Sequence, residues 1–261
     1  MLQYSKQADE RRAAGPLECW CLHGAVGMAA DWRGFAKRLA AAAISSRAVD
    51  LWRYLENPPQ PLPDFGKALN AEAGGEVFRG NGRALLGYSM GGRLALHALL
   101  ETGHPWQAAV LVSAHPGLAT AAERMTRVTA DAAWATQAFA GDWQQFLRAW
   151  NAQPVLGATV MRDEAAARSL ITRRGEVARS FMDWSLGEQQ PLWDRLAEIS
   201  IPVLWVAGEN DVKFRALAER AASLSPRACL AIAPAAGHRV PWDNEPWLAE
   251  TTAHFLKFGG I

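Results

Sequence analysis

Residues 85–100 read LLGYSMGGRLALHALL, and the reading of Ser89 within them decides the fold. An apolar run, RALLGY (83–88), ends at this serine, and the helical pattern MGGRLALHALLE begins directly behind it. Gly87-Tyr88-Ser89-Met90-Gly91 fits G-x-S-x-G in the strand–turn–helix setting that the motif requires. Glycines at 87 and 91 let neighbouring segments approach closely around a sharp turn while the serine oxygen is held clear of the sheet. Taken alone, the same letters also describe a glycine-rich turn with a capping serine. The rest of the chain has to decide between the two.

Working outward, LECWCLH (17–23), RAVDL (47–51), QAAVLVSA (107–114), IPVLWVAG (201–208) and ACLAIA (228–233) are further short apolar runs. They are continuous rather than alternating, as parallel strands covered on both faces are. Helical patterns fall between them, over DWRGFAKRLAAAA and from Asp64 after the proline-rich ENPPQPLP loop. Strands alternating with helices predict an α/β fold, a mostly parallel central sheet with helices on both faces. From about Gly117 to Arg195 no strand pattern occurs, only helical stretches rich in Arg, Trp and Ala. The expected organisation is therefore a core of residues 1–117 and 191–261 with a helical cap, 118–190, inserted between two core strands. Within the cap, Arg124, Arg127, Asp131 and Trp134 share one helical face through spacings of three and four. Met125, Val128, Ala132, Ala135 and Phe139 share the adjoining face, which is expected to pack on the cap or core.

Bulk properties exclude several classes. The 261 residues suffice for one large domain with a sizeable core. Half are hydrophobic and 20% charged, ordinary values for a soluble globular protein. A net charge of +1 provides no field favouring nucleic acid or an anionic membrane surface. Cys19, Cys21 and Cys229 lack metal-ligand spacing, and an odd, sparse set fits a reducing cytoplasm better than a disulfide framework. The N-terminal MLQYSKQADERRAAG has no apolar signal-peptide core, and no apolar run approaches the length of a membrane span. The expectation is a cytoplasmic protein, monomeric or a small homo-oligomer, with no metal, no nucleic acid partner and no membrane insertion. Several of the twelve tryptophans are available to line a pocket.

Two residues supply what a reactive serine needs. Asp211 stands in GEND just past the strand pattern PVLWVAG, and His238 stands in AAGHRV just past ACLAIA. Ser, Asp and His in that order, each at the carboxyl end of a strand, is the chain order of α/β-hydrolases. All three loops then lie at the edge of a parallel sheet where ligands bind. The imidazole would take the serine proton, and the carboxylate would fix its tautomer. For an oxyanion hole, the Leu22-His23-Gly24-Ala25 loop offers the Ala25 amide, and Met90 offers the first amide of its helix. His23 reads as a brace for that loop, and His97, His104 and His254 as structural.

GYSMGGRLAL, SAHPGL (113–118), QPVLG (153–157) and GENDVKFRALA (208–218) together resemble the family of 2-succinyl-6-hydroxy-2,4-cyclohexadiene-1-carboxylate synthases of menaquinone biosynthesis. PAAGHRVPWDNEP (234–246) is compatible with it, and the similarity runs from LHGAVGMAADW to the C-terminus. The resemblance implies an α/β-hydrolase fold and a cofactor-independent carbon–oxygen lyase. The triad serine removes a proton from a small anionic polycarboxylate substrate, and pyruvate leaves. It implies Ser89, Asp211 and His238 as the triad and Ala25 and Met90 as oxyanion donors. Arg93, Arg124 and Trp150 would surround the substrate, with Tyr88, Arg127 and Lys213 as neighbours. A further cap arginine would be one of Arg168, Arg173 and Arg174. Physical chemistry agrees with an anionic ligand, since Arg93 in the first turn of its helix is a cation where the macrodipole disfavours one.

In one place the chain departs from the hydrolase pattern. Where such proteins have D-x-x-G-x-G after the second strand, it reads Asp50-Leu-Trp-Arg-Tyr-Leu-Glu, with Trp52, Arg53 and Tyr54 replacing the glycines. Two other readings compete with the lyase. One is a carboxylic-ester or thioester hydrolase with Ser89 as nucleophile. The other is a binding protein of hydrolase fold without catalysis, a role that has no need of an intact Ser, His and Asp.

Overall fold

The computed structural model describes residues 17–57, 59–76, 80, 82–157 and 164–259. The N-terminal stretch read above for a signal peptide lies outside them, as do residues 158–163 of the expected cap. The strands are β1 (Leu17–Leu22), β2 (Ile44–Val49), β3 (Gly82–Tyr88), β4 (Trp106–Val112), β5 (Val203–Gly208) and β6 (Ala228–Ala233). They form one 6-stranded sheet in the order β2-β1-β3-β4-β5-β6. Every neighbouring pair is parallel.

Alternation along the strands sorts side chains between two apolar layers. Trp20, Leu22, Leu85, Leu111 and Trp205 join the layer beneath α2 (Leu62–Gly75), α3 (Met90–Leu99) and α8 (Val212–Leu224). Cys19, Cys21, Leu86, Val110 and Val206 join the opposite layer, covered by α1 (Arg33–Ala41) and the C-terminal helix α9 (Glu245–Phe258). Both faces of the sheet are thus buried along its central strands, which is why β3, β4 and β5 are mostly apolar, whereas the edge strand β2 (ISSRAV) carries Ser45, Ser46 and Arg47.

Between β4 and β5 the chain forms α4 (Ala121–Ala140), α5 (Trp143–Asn151), α6 (Glu164–Ser169) and α7 (Arg174–Asp183), with no strand among the described residues. Thr120 caps α4: its hydroxyl accepts from the Glu123 N–H at 3.2 Å, and a Glu123 carboxylate oxygen accepts from the Thr120 N–H at 2.9 Å. The face of α4 that packs inward is that of Asp131 (2% exposed) and Ala138 (0%). Of the face expected to pack, Val128, Ala132 and Ala135 are half-buried, while Met125 (72%) and Phe139 (65%) at its ends stand in solvent, against the expectation. Asp131 tolerates burial because both its oxygens accept from Arg127 Nε at 2.9 Å and one accepts from the Ser185 hydroxyl at 2.7 Å.

Boundaries differ from the sequence pattern for local reasons. β2 begins at Ile44 and stops at Val49, because the Asp50 carboxylate accepts from the Trp52 N–H at 3.1 Å and starts a 3₁₀ turn over Leu51–Leu55. β4 ends at Val112, since Ser113 takes a positive φ of 48°. α2 starts two residues early, at Leu62, because Pro63 is tolerated in a first helical turn. The apolar run at 201–202 adds nothing to β5, which starts at Val203.

The strand order also locates a crevice. β1 pairs with β2 on one side and β3 on the other, so the chain leaves the carboxyl ends of β1 and β3 in opposite directions. In an open parallel sheet this switch point is where ligands enter. The β1 loop carries Ala25 and the β3 loop carries Ser89.

Candidate active site

Ser89 sits at the switch point in a backbone conformation, φ 52° and ψ −109°, that side chains other than glycine rarely adopt. The contacts around it explain why the turn needs glycines. A Cβ on Gly87 would lie 2.3 Å from the Gly91 carbonyl oxygen, and one on Gly91 would lie 2.5 Å from that of Leu22. The β3–α3 turn therefore packs directly on the end of β1, and the Ser89 N–H bonds to the Val112 carbonyl at 2.8 Å.

Ser89 Oγ lies 3.0 Å from His238 Nε2, and His238 Nδ1 lies 2.9 Å from Asp211 Oδ2. Because an ionised carboxylate only accepts, Nδ1 carries the proton, and Nε2 of the neutral ring is left to accept from the serine hydroxyl. The chain runs Ser89 O–H to His238 to Asp211. Asp211 is held by its place at the head of α8, where its other oxygen accepts from the Phe214 N–H at 3.2 Å. The Phe214 ring lies 4.3 Å from the His238 ring, and Tyr88 lies 5.8 Å away on another side. Imidazole and carboxylate are both buried, at 5% and 9% exposure, so little water competes for their hydrogen bonds.

A small cavity of about 30 Å³ adjoins the serine. Ala25, Tyr88, Ser89, Arg239 and Trp242 form its walls from the core loops, and Trp150 and Leu156 close it from the segment between β4 and β5. That volume is roughly one water molecule's share of the liquid. A larger open groove of about 500 Å³, bounded by Leu55, Phe139, Arg179 and Met182, shares no lining residue with it. The groove contains no member of the Ser-His-Asp chain.

The oxyanion candidates stand where their elements put them. Ala25 lines the Ser89 cavity. Met90 is the first residue of α3, where a helix leaves its amides without intrahelical acceptors. His23 braces the Ala25 loop: its Nδ1–H faces the Gly24 carbonyl at 2.9 Å, and Nε2 accepts from the Leu51 N–H at 3.3 Å.

The residues expected around a substrate divide into two groups. Tyr88 and Trp150 line the cavity. Arg93, Arg124, Arg127 and Lys213 are not among its lining residues. Arg93 is 8% exposed one turn into α3 and donates to the Trp184 carbonyl at 2.7 Å. Burial, then repulsion from Arg127, pushes its pKa down to about 9, with Asp131 partly offsetting both. Arg124 donates to the Leu118 carbonyl at 3.3 Å, Arg127 is held by Asp131, and Lys213 is exposed on α8 with its ammonium 5.7 Å from the Phe214 ring centre. Of the three competing cap arginines, Arg173 pairs with Glu56 and Glu176, Arg174 donates to the Ala138 and Gly141 carbonyls, and Arg168 is exposed.

Sequence reasoning missed Arg239, Trp242 and Leu156. The available signal was adjacency, since Arg239 follows His238 directly and Trp242 lies one turn further on. Among the described residues no cluster of His, Cys, Asp and Glu could hold a metal ion. No described helix is long and apolar enough to cross a membrane.

Comparison with known proteins places this geometry among relatives. A model of the alpha/beta hydrolase family matches residues 21–251. The chain is 32% identical over 251 residues to the 2-succinyl-6-hydroxy-2,4-cyclohexadiene-1-carboxylate synthase of Pectobacterium atrosepticum, covering 94% of this chain and 96% of that one. Its fold superposes on MenH from S. aureus with a TM-score of 0.84 at 22% identity, over 93% of this chain and 94% of the other. An esterase from Exiguobacterium antarcticum superposes at 0.73 and 18% identity, over 94% and 93%. Both structural likenesses, at such identities, speak to fold alone.

Proposed function

We propose a reaction for a chain that belongs to the 2-succinyl-6-hydroxy-2,4-cyclohexadiene-1-carboxylate synthase family of the alpha/beta hydrolases: elimination of pyruvate from a polycarboxylate substrate in menaquinone biosynthesis, with Ser89, His238 and Asp211 as its proton-transfer chain. The observation that carries this reading is the 32% identity to such a synthase over nearly the full length of both chains. An esterase of the same fold is matched structurally, but at 18% identity.

The geometry supplies a chemically complete set of actors. His238 Nε2 accepts the Ser89 hydroxyl proton, and the serine oxygen so activated takes a proton from a substrate carbon. The electron pair left behind shifts into the ring as the carbon–oxygen bond to the leaving group breaks. The departing enolpyruvate takes the proton held by His238 and is released as pyruvate, which returns Ser89 and His238 to their starting states. Asp211 stabilises the imidazolium formed in between. The Ala25 and Met90 amides face the oxygen on which charge accumulates. No protein–substrate covalent bond is needed, so Ser89 acts as a base rather than a nucleophile. The segment 118–190 serves as a cap over this chemistry, with Trp150 and Leu156 lining the space beside the serine.

A coupled assay of pyruvate release from the pathway substrate, run beside a panel of neutral aryl esters, tests the reading. Pyruvate release that disappears in Ser89→Ala is the expected result. A burst of alcohol from aryl esters with no pyruvate from the pathway substrate would instead establish a hydrolase with Ser89 as nucleophile.

A further inference from the structure

Among the described residues that line the space beside Ser89, Arg239 is the one that bears a charge. The four cations expected from the sequence do not line it: Arg93 donates to the Trp184 carbonyl, Arg124 to the Leu118 carbonyl and Arg127 to Asp131, and Lys213 is exposed on α8. We infer that Arg239 is a substrate-binding residue that receives a carboxylate of the ligand and sets the site's preference for anions. This inference rests on the polycarboxylate reading above and adds a residue to it.

Arg239 is 4% exposed, and the loop that carries it is the one that carries His238. A carboxylate held there is therefore placed relative to the ring that moves the proton, not relative to a separate element. Its Nη2 donates to the side-chain carbonyl of Asn151, the last residue of α5. That acceptor is neutral. A carboxylate makes a shorter and roughly twofold stronger bond to a guanidinium and can take two N–H groups at once, so it displaces an amide oxygen from the same donor.

The exchange is also mechanically sensible. About 30 Å³ beside Ser89 holds no molecule with a ring and a succinyl arm, so a wall has to move for one to bind. Trp150, which closes the cavity, precedes Asn151 on the same helix end. Replacing Asn151 by a carboxylate on Arg239 removes the Asn151 tie between that helix end and the His238 loop at the moment the ligand needs the room. If Arg239 were instead only a brace between α5 and the His238 loop, its loss would affect charged and neutral ligands alike. That difference makes the inference testable.

The test is tryptophan-fluorescence titration of the full chain, since Trp150 and Trp242 line the cavity. One ligand is 2-succinylbenzoate, an aromatic dicarboxylate with the succinyl and ring carboxylate groups of the product that names the family; the other is its dimethyl ester. Arg239→Gln should weaken dicarboxylate binding tenfold or more and change diester binding less than twofold. Arg239→Lys should recover part of the loss, and Asn151→Ala should bind the dicarboxylate at least as tightly as the unaltered protein. A folded Arg239→Gln within twofold of the unaltered protein, or equal losses for both ligands, would make Arg239 a brace and overturn the inference. Should Arg239→Gln not fold, Asn151→Ala decides by the same comparison: retained or tighter dicarboxylate binding supports the inference, and equal weakening of both ligands refutes it. Pyruvate release on the same samples separates the two levels. An unaltered protein that neither binds the dicarboxylate nor releases pyruvate removes the functional reading and the inference together. Normal release whose kcat/KM is unchanged in Arg239→Gln removes the inference alone.

Discussion

The Trp52 indole N–H donates to the Gly27 carbonyl at 2.9 Å, so the loop after β2 holds the loop after β1. Trp52 is 1% exposed, and its ring lies 4.9 Å from that of His23. It belongs to the stretch where hydrolases of this fold carry D-x-x-G-x-G. Trp52, Arg53 and Tyr54 of that stretch do not line the Ser89 cavity; Trp52 braces the segment that presents Ala25, and Arg53 and Tyr54 donate to Glu72. Trp52→Phe keeps a ring and loses the hydrogen bond. It should lower stability by about 0.5–1.5 kcal/mol and depress kcat more than it raises KM. Chemical denaturation and steady-state kinetics on one sample check both, and an unchanged kcat would confine Trp52 to stability.

Ser89 gives a second, separable pair of effects. Its φ of 52° stores strain on the order of 1–3 kcal/mol, and alanine at 89 inherits that strain whereas glycine does not. Both Ser89→Ala and Ser89→Gly should lose on the order of a thousandfold or more in turnover. In calorimetry Ser89→Gly should melt above Ser89→Ala. Equal melting temperatures would mean that the turn carries no strain to release.

Two buried histidines set the acid side of the stability profile. Burial first, then the charges of Lys213, Arg93 and Arg127, push the pKa of His115 down to about 3; burial, then Arg93 and Arg195, push that of His97 down to about 4. Unfolded histidine titrates near 6.5, so between these values the unfolded chain binds more protons than the folded one. Stability present above pH 6.5 is therefore lost as the pH falls towards 4 and then 3. His115→Asn, whose side-chain oxygen can still accept from the Gly117 N–H as His115 Nδ1 does, should flatten the fall in melting temperature between pH 7 and 5. A profile identical to that of the unaltered protein would show that His115 protonates freely in the fold.

Asp131 ties α4 to the segment after α7 through the Ser185 hydroxyl, and pairs with Arg127 one turn earlier on the same helix. Asp131→Asn keeps the shape and removes the charge that both charge-assisted contacts rely on. It should cost about 1.5–3 kcal/mol in urea denaturation. It should also make Arg93 harder to keep charged, because Asp131 is the carboxylate that offsets its burial. A loss confined to a few tenths of a kcal/mol would show that Arg127, with 40% of its side chain exposed, is satisfied by water instead.

The parts of this protein that depend on neighbours in sequence were legible without coordinates. Continuous apolar runs specify strands buried on both faces, because a parallel sheet between helices has no wet side. G-x-S-x-G between a strand and a helix specifies the turn, since the Gly91 contact with Leu22 leaves no room for a Cβ. Ser89, Asp211 and His238 each follow a strand, and parallel strands deliver all such loops to one edge, so their meeting within 3.0 and 2.9 Å follows from chain order. What the pattern did not contain was which side of a helix faces in and which cation faces the serine. On α4 Asp131 packs inward while Met125 and Phe139 face out, because a carboxylate matched by Arg127 and Ser185 can be buried, and the second of these partners is more than fifty positions away. Arg239 reaches the cavity, and Arg93 and Arg127 turn to other partners, through contacts between segments brought together only by folding. Local periodicity sets the elements; the destination of a long, flexible cation is set by whichever acceptor the tertiary structure places within its reach.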